Sequence, residues 1–282
     1  MKFAVEYSQY TSEKFNVTDT LLEKVDEITI WWNPKDLTLF EFLTKYMNKR
    51  INIIIADNDT FVQYKLASKI KGFIKEHPEL DIAFAFTYNI INEQPSTFKE
   101  LQELQLKYYY QFPIDNWEEF NFWIQFGVSD INIGNQLCFE LEKCKNISKK
   151  YNVKLRTDIG VVQKNFKTTN DYQSFFIRPE DIDYYSQYID VYNLYWYYEN
   201  KRDLKVLHDI YAIDKYWYGN LQEIVSDLSE SINSKCLLAT FAENRANCGR
   251  KCLSGSNCRI CKNMFELAKI LNENNLMLKD DK

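Results

Sequence analysis

The stretch Glu27–Asp57, EITIWWNPKDLTLFEFLTKYMNKRINIIIAD, contains one complete β–α–β unit. Its two ends, EITIWW (Glu27–Trp32) and INIIIAD (Ile51–Asp57), are short runs rich in β-branched and aromatic residues, which are typical of buried strands. Between them, LTLFEFLTKYMNK has apolar residues at helical spacing. Pro34 stands just ahead of this segment, where the first turn of a helix accepts proline. The stretch therefore predicts two parallel strands joined by a crossover helix.

The same unit repeats along the chain, because eight β-rich runs start about 20–35 residues apart, the length of a strand with its crossover helix and loops. The runs are Lys2–Tyr7, Glu27–Trp32, Ile51–Asp57, Asp81–Thr87, Lys107–Pro113, Asp130–Gly134, Val153–Ile159 and Ile189–Tyr195. Eight such units predict an α/β protein with a (β/α)8 barrel, and an open doubly wound sheet is the alternative. No glycine-rich phosphate fingerprint follows the first run, which disfavours the open sheet.

The barrel is expected to occupy residues 1–200, and residues 201–282 are expected to form a C-terminal helical elaboration with a metal site. In this second part, LHDIYAIDKYWYGNLQEIVSDLSESI has an amphipathic pattern that predicts helix. The last segment, NMFELAKILNENNLML, predicts the final helix of the chain.

The composition and charge limit where in the cell the protein is expected and which classes of partner it is expected to bind. The chain has 282 residues, a formal net charge of −5 and a pI of about 5.3, so no broad basic face for nucleic acid is indicated. The first residues, MKFAVEYSQYTSEKF, lack a cleavable apolar region, and no apolar run approaches the ~20 residues that span a bilayer. We therefore expect a cytoplasmic protein with reduced thiols and no membrane partner. The sequence does not indicate an oligomeric state.

Four of the seven cysteines lie close together near the end of the chain. Cys248, Cys252, Cys258 and Cys261 have the spacing C-x3-C-x5-C-x2-C, with turn-forming Gly, Ser and Asn residues between them. Four thiolates from a compact loop suit either a structural zinc ion or a 4Fe-4S cluster, and the spacing does not separate the two. Five Arg and Lys side chains surround the thiols and offset the negative charge of either centre. The alternative is a set of unrelated thiols.

Polar residues follow or end most of the predicted strands, where the active sites of (β/α)8 barrels lie. Arg156 and Asp158 have the same strand parity, so both point to the same side of the seventh strand. Together with Glu6 on the first strand, they are the candidate catalytic residues. Four further side chains are candidate ligands of a small-molecule or flexible polymer substrate: Asn33, Asp57, Asn135 and Asn193. For each of these, loop solvation or helix capping is the competing interpretation.

Several enzyme classes lack their residues in this chain. His77 and His208 are its two histidines, which disfavours a Ser–His–Asp triad or a histidine-based metal centre. The sequence has no phosphate-binding loop, nucleophile elbow or zincin helix.

Two segments have a pattern in common with one known family. They are FFIRPEDIDYYSQYIDVYNLY (Phe175–Tyr195), which contains the R-P-E-D stretch Arg178–Asp181, and NRANCGRKC (Asn244–Cys252). Together they resemble the collagenase-like peptidase family of unknown catalytic type, family U-thirty-two. Ala246 stands where the family's cysteine-bearing run has Gly, and the four cysteines here are more compact. The resemblance implies a (β/α)8 barrel with a 4Fe-4S cluster that acts in hydroxylation of RNA bases or quinone rings and not in proteolysis.

The sequence therefore predicts an enzyme whose barrel mouth binds its substrate beside a cysteine-bound 4Fe-4S cluster. The alternative is a non-catalytic binding or interaction protein on the same barrel, in which the four cysteines hold zinc as a structural clamp.

Overall fold

The computed structural model describes residues 1–8, 17–32, 38–55, 60–86, 99, 102–163, 170–194, 203–213, 217, 219–251 and 257–276. Eight parallel strands form a closed barrel in chain order. They are β1 (Phe3–Tyr7), β2 (Glu27–Trp32), β3 (Arg50–Ile55), β4 (Asp81–Phe86), β5 (Lys107–Ile114), β6 (Asp130–Ile133), β7 (Lys154–Ile159) and β8 (Val191–Leu194). The barrel closes where β1 pairs with β8, with Ala4 beside Asn193. The predicted (β/α)8 barrel is confirmed, and the open sheet is wrong.

Helices connect the strands and cover the outside of the barrel. The α-helices of the described residues are α1 (Asp19–Lys24), α2 (Leu39–Lys45), α3 (Thr60–Glu76), α4 (Trp117–Phe126), α5 (Leu141–Tyr151), α6 (Ile182–Tyr185), α7 (Leu204–Ala212), α8 (Phe241–Ala246) and α9 (Ile260–Glu273). Short 3-10 turns lie at Leu137–Phe139, Asp171–Gln173, Pro179–Asp181, Leu221–Glu223 and Ser234–Cys236. In the described part of the chain, we find no helix with the length and apolar character needed to cross a bilayer.

Local sequence signals fix the ends of several helices. In α4, the side chain of Asn116 accepts a hydrogen bond from the backbone N–H of Glu119 at 2.8 Å, so it satisfies one of the free amides of the first turn. Gly127 follows the last residue of α4 with a φ of 83°, a left-handed conformation that glycine adopts without a Cβ clash. These two residues hold α4 between β5 and β6, whose ends contribute to the barrel mouth.

The two faces of the strands differ in chemistry. The outward faces carry aliphatic side chains such as Ile28, Ile30, Ile51 and Ile53, which pack under the helices in the main hydrophobic core. The inward face has a separate small apolar cluster of Ile54, Ala83, Ala85 and Tyr109. Apolar burial outside the strands stabilises the barrel, whereas much of the inside is polar.

The predicted long helix in the C-terminal part is wrong over the described residues 219–232. α7 ends at Ala212, and residues 219–233 form turns and a 3-10 segment. Side chains here satisfy the backbone in place of a helix: Asn220 accepts from the N–H of Gln222, and Asp171 accepts from the N–H groups of Ser229 and Glu230. Local capping by Asn and Asp therefore outweighs the amphipathic pattern.

Candidate functional site

The interior of the barrel contains four charged side chains that almost no solvent reaches. Glu27, Arg50, Asp130 and Arg156 are each at most 6% exposed. Arg50 donates from Nη2 to Asp130 Oδ2 at 2.5 Å, which joins β3 to β6 across the barrel. Arg156 donates from Nη2 to Glu27 Oε2, which joins β7 to β2. Two cations and two carboxylates make the network neutral overall, which is the condition under which buried charges are tolerated.

Arg156 lies at the centre of this network. Its Nε is 3.8 Å from Asp130 Oδ1, and its Cζ is 4.7 Å from the centroid of the Tyr109 ring. Burial alone would lower the pKa of Arg156, but the Coulomb attraction of Glu27 and Asp130 holds it above the ordinary value. Burial would likewise raise the pKa of Asp130, yet Arg156 and Arg50 hold it below the ordinary value. The positive charge of Arg156 is thus balanced by the carboxylates of Glu27 and Asp130, which lie beneath it.

Asp158, one inward position further along β7, has a different environment. Its Oδ1 accepts from Asn193 Nδ2 at 2.8 Å and from Asn132 Nδ2 at 3.2 Å. No hydrogen bond to Oδ2 is present among the described residues. Burial raises the pKa of Asp158 above that of an ordinary aspartate, because two neutral amides and the distant Arg156 only partly offset the loss of solvation. Asp158 is therefore protonated more readily than an exposed aspartate.

A cavity of ≈ 350 Å³ opens at the carboxyl ends of the strands above Asp158. Its described lining is Ala4, Val5, Glu6, Thr29, Trp31, Tyr109, Gln111, Phe112, Pro113, Asn132, Arg156, Asp158, Asn193 and Leu194. Its volume is typical of small-molecule sites, which occupy about 300–1,000 Å³. Glu6 is half-buried and lies one inward position above Ala4 on β1, the strand next to β8. The cavity thus has two carboxyl groups, several amides and aromatic rings.

An irregularity in β5 contributes to this wall. The pairing of β5 with β6 shifts register between Tyr110 and Ile114, a span that contains Pro113, which has no backbone N–H to donate. Such irregularities redirect side chains at the rims of barrels. Phe112 within the irregular span is 44% exposed and lines the cavity.

The structure brings all three predicted catalytic residues to the lining of this cavity. Glu6 and Asp158 lie at the mouth, and Arg156 forms part of the floor, where it pairs with Glu27. Their catalytic roles stay predictions.

Of the four predicted ligand residues, one lines the cavity, one lies outside it, and two are outside the described residues. Asn193 lines the cavity and holds Asp158. Asn135 lies outside the cavity lining, and its side chain accepts a 2.7 Å hydrogen bond from the backbone N–H of Phe175. Asn33 and Asp57 lie outside the described residues.

Three charged residues of the site were not among the predicted functional residues. Glu27, Arg50 and Asp130 are the first residues of their strands, so each resembles an ordinary polar strand end. Asn132 has the same parity as Asp130 and could have been recognised as inward-facing. The ion pair between Arg50 on β3 and Asp130 on β6 crosses the interior and forms only when the barrel is closed. No local sequence pattern encodes that closure.

The R-P-E-D stretch lies away from the mouth and attaches the C-terminal segment to the barrel. Arg178 forms a bidentate pair with Asp181 at 2.6 and 2.7 Å, and the same guanidinium donates to the backbone carbonyls of Ser234, Leu237 and Leu238. Burial raises the pKa of Asp181 above its ordinary value, although Arg178 opposes the rise. We call these contacts the Arg178 clamp.

The cysteine segment is described in part. Cys248 follows α8, whereas Cys258 and Cys261 lie at the start of α9; all three are half-buried. Cys252 lies outside the described residues. Within the described ranges, no three His, Cys, Asp or Glu side chains are grouped closely enough to hold a metal ion. The four-cysteine centre stays a prediction.

Arg245, three residues before Cys248, is a fully buried cation. None of its three guanidinium nitrogens has a hydrogen-bond partner among the described residues. Its Cζ lies 4.5–5.2 Å from the rings of Phe139, Phe176 and Phe241. Cation–π contacts stabilise such a charge in part, and the carboxyl group of Asp181 lies close enough for a Coulomb interaction with it.

No protein-family model matches the chain, and no curated protein is significantly similar to it in sequence.

Proposed function

We propose that the barrel mouth is the active site of an enzyme in which Asp158 gives a proton to, or takes a proton from, a small substrate. The observation that carries this proposal is the environment of Asp158. Two amides fix one carboxyl oxygen, and the carboxyl group lines the cavity at the end of a barrel strand. A carboxyl group with a raised pKa is suited to general acid–base chemistry.

The neighbouring residues have distinct roles in this proposal. Asn132 and Asn193 orient Asp158, and Glu6 provides a second carboxyl group at the same mouth. Glu27 takes the Nη2 hydrogen bond of Arg156, so Asp158 is held by the two amides and not by that guanidinium. If Arg156 paired with Asp158 instead, the pKa of Asp158 would fall and the acid would be lost.

The test is a ligand-observed NMR screen of a metabolite mixture that includes neutral sugars, nucleosides, amino acids and organic acids. We expect hits to lose binding in an Asn193→Leu variant, which removes the amide at the mouth. The matched control is Glu41→Gln, an exposed position on α2. Each hit is then incubated with the wild-type protein and with Asp158→Asn, and turnover is followed by NMR.

The outcomes separate an enzyme from a binding protein. Turnover by the wild type that Asp158→Asn abolishes supports the proposal. Hits that bind at the mouth and are never converted favour the non-catalytic barrel. Hits that bind equally well to Asn193→Leu contradict the assignment of the site.

We also propose that Cys248, Cys252, Cys258 and Cys261 hold a metal centre. The supporting features are four thiols in a turn-rich segment and, three residues before Cys248, the buried guanidinium of Arg245, which forms no hydrogen bond with any described residue. A 4Fe-4S cluster would supply electrons, consistent with the resemblance to the collagenase-like peptidases and with hydroxylation at the barrel mouth, whereas zinc would act as a structural clamp.

Metal analysis of anaerobically purified protein tests this second proposal. We expect iron with broad absorption near ~400 nm for a cluster, or zinc without colour, and the metal to be lost in Cys258→Ser. Cys236→Ala, which changes a buried cysteine outside the cluster, should keep it. Full metal content in Cys258→Ser would contradict the site.

A further inference from the structure

The lining of the mouth cavity indicates a class of substrate. We propose that it binds a neutral, hydroxyl-rich ring of mono- or disaccharide size. This inference rests on the proposed function, because it assigns a substrate class to the same site. The cavity of ≈ 350 Å³ is small. Small-molecule pockets range from about 300 to 1,000 Å³, so one or two sugar rings suit it better than a large cofactor.

The charge of the lining disfavours an anionic ligand. Of the described lining residues, Glu6 and Asp158 are acidic and Arg156 is the one cation. The guanidinium of Arg156 is already bound to Glu27 and lies 3.8 Å from Asp130. A phosphate or carboxylate in the cavity would therefore meet one or two carboxyl groups without an available positive partner in this lining. Like-charge contacts of that kind cost several kcal/mol.

The amide of Asn132 calls for a hydrogen-bond donor from the ligand. Its nitrogen donates to Asp158 Oδ1 at 3.2 Å and to the backbone carbonyl of Gln111 at 3.4 Å. Its oxygen is buried and accepts no hydrogen bond from any described residue. A buried acceptor without a partner disfavours the empty site, and a ligand O–H or N–H that reaches this oxygen after a small shift of the amide would recover the loss. Asn132 is 2% exposed, so its position is fixed by the strand and not by solvent.

The hydrogen-bonding groups face the cavity from different sides. Asn132, Asp158 and Asn193 come from the adjacent strands β6, β7 and β8, whereas Gln111 lies on β5 and Glu6 on β1. A ligand with hydroxyl groups around the whole of its ring can use such a distribution. A nucleobase has fewer hydrogen-bonding groups around its edge than a sugar ring, so it would leave more of these side chains unpaired.

Aromatic side chains provide an apolar surface for the C–H face of a ring. Trp31 at the end of β2 is 40% exposed, and Phe112 on β5 is 44% exposed, although both lie within the lining. An indole that remains this accessible at a cavity is a surface on which a ligand can stack. Saccharides combine an apolar ring face with hydroxyl groups at the edge, which matches this combination of indole, amides and carboxyl groups.

Calorimetric and NMR titrations with defined probes test the substrate class. The neutral probes are glucose, galactose, mannose, maltose and cellobiose; glucose 6-phosphate and adenosine are the contrasting probes. We expect at least one neutral sugar to bind and to shift the side-chain amide signals of Asn132 and Asn193. Addition of the phosphate should weaken binding by about tenfold or more. Trp31→Ala should weaken sugar binding by about tenfold, which corresponds to a loss of about 1.4 kcal/mol of stacking.

The matched control for Trp31→Ala is Phe122→Ala, which truncates an aromatic ring of similar exposure (47%) on α4, outside the cavity lining. Sugar affinity should not change in this variant. If glucose 6-phosphate or adenosine shifts the Asn132 and Asn193 signals and no neutral sugar does, the substrate class is wrong and the proposed active site stands. If no probe of any class shifts these signals, both the substrate class and the ligand site at the mouth are wrong.

Discussion

At the scale of single residues, the protonation of Asp158 links stability to pH. Burial raises its pKa in the folded state, so the folded protein holds this proton more tightly than the unfolded chain does. The contribution to the free energy of unfolding is complete below the unfolded pKa of about 3.9 and is lost as the pH rises through the folded pKa. Asp158→Asn removes this titration and keeps the shape of the side chain.

We therefore predict that the free energy of unfolding of the wild type, relative to Asp158→Asn, falls as the pH rises above about 4 and through the folded pKa. Urea denaturation at a series of pH values measures this difference, and the comparison cancels the other titrating groups. Glu41→Gln on the exposed face of α2 provides the control and should give no such slope. A difference that stays constant with pH would show that Asp158 has an ordinary pKa.

Arg156 allows a second residue-scale prediction. Arg156→Met leaves Glu27 without its closest cation inside the barrel. It also removes a guanidinium that attracts the carboxylate of Asp130. Breaking a buried pair in this way costs about 3–5 kcal/mol. In the double variant Glu27→Gln/Arg156→Met both charges are gone, so we expect its loss of stability to be smaller than the sum of the two single losses. Urea denaturation of the four proteins measures the coupling, and strictly additive losses would contradict the pairing.

At the scale of elements, the Arg178 clamp is the attachment of the C-terminal segment to the barrel. Arg178→Lys keeps the charge but cannot form the bidentate pair with Asp181 or reach the three carbonyl groups. We predict that residues 234–238 become more accessible to proteases and to hydrogen exchange, while strands β1–β8 keep their protection. The control is Arg259→Lys, an exposed residue just ahead of α9. Loss of protection throughout the barrel would show that the clamp stabilises the whole fold.

The helices and strands also show which sequence signals were sufficient to predict their bounds. The strand β2 has the bounds that its sequence predicts, because β-branched and aromatic residues fill it from Glu27 to Trp32. The helix predicted over residues 219–232 was wrong, because Asn220 and Asp171 satisfy the backbone by side-chain capping. Periodicity identifies elements that pack against a core; capping by side chains distant in the sequence, such as Asp171, is not visible in it.

At the scale of the whole molecule, closure explains both the success and the limits of the sequence analysis. The repeat of eight units was sufficient to predict a barrel, and strand parity was sufficient to place Arg156 and Asp158 on its inner face. The partners of these side chains were not predictable, since Glu27 and Asp130 reach Arg156 only across the closed interior. A site made of residues from opposite strands becomes apparent only in three dimensions.

Closure also predicts how the molecule unfolds. In an open sheet, the first and last strands would be edges whose amides exchange through local opening. Here Tyr192 N–H donates to the carbonyl of Lys2 at 2.8 Å, and β1 lies between β2 and β8. We therefore expect the amides of β1 and β8 to exchange with deuterium as slowly as those of β3 and β4, because each requires opening of the barrel. Mass spectrometry of peptides covering the four strands gives the rates.

The dependence of these rates on urea makes the comparison decisive. If exchange in β1 and β8 requires global unfolding, its sensitivity to urea equals that of β3 and β4, because the same surface is exposed in each case. The amide of Asn275, beyond the end of α9, is the internal reference and should exchange rapidly with little effect of urea. Exchange in β1 or β8 that is fast and insensitive to urea would mean that the barrel opens between these two strands. The wall formed by Glu6, Asp158 and Asn193 would then be a transient arrangement.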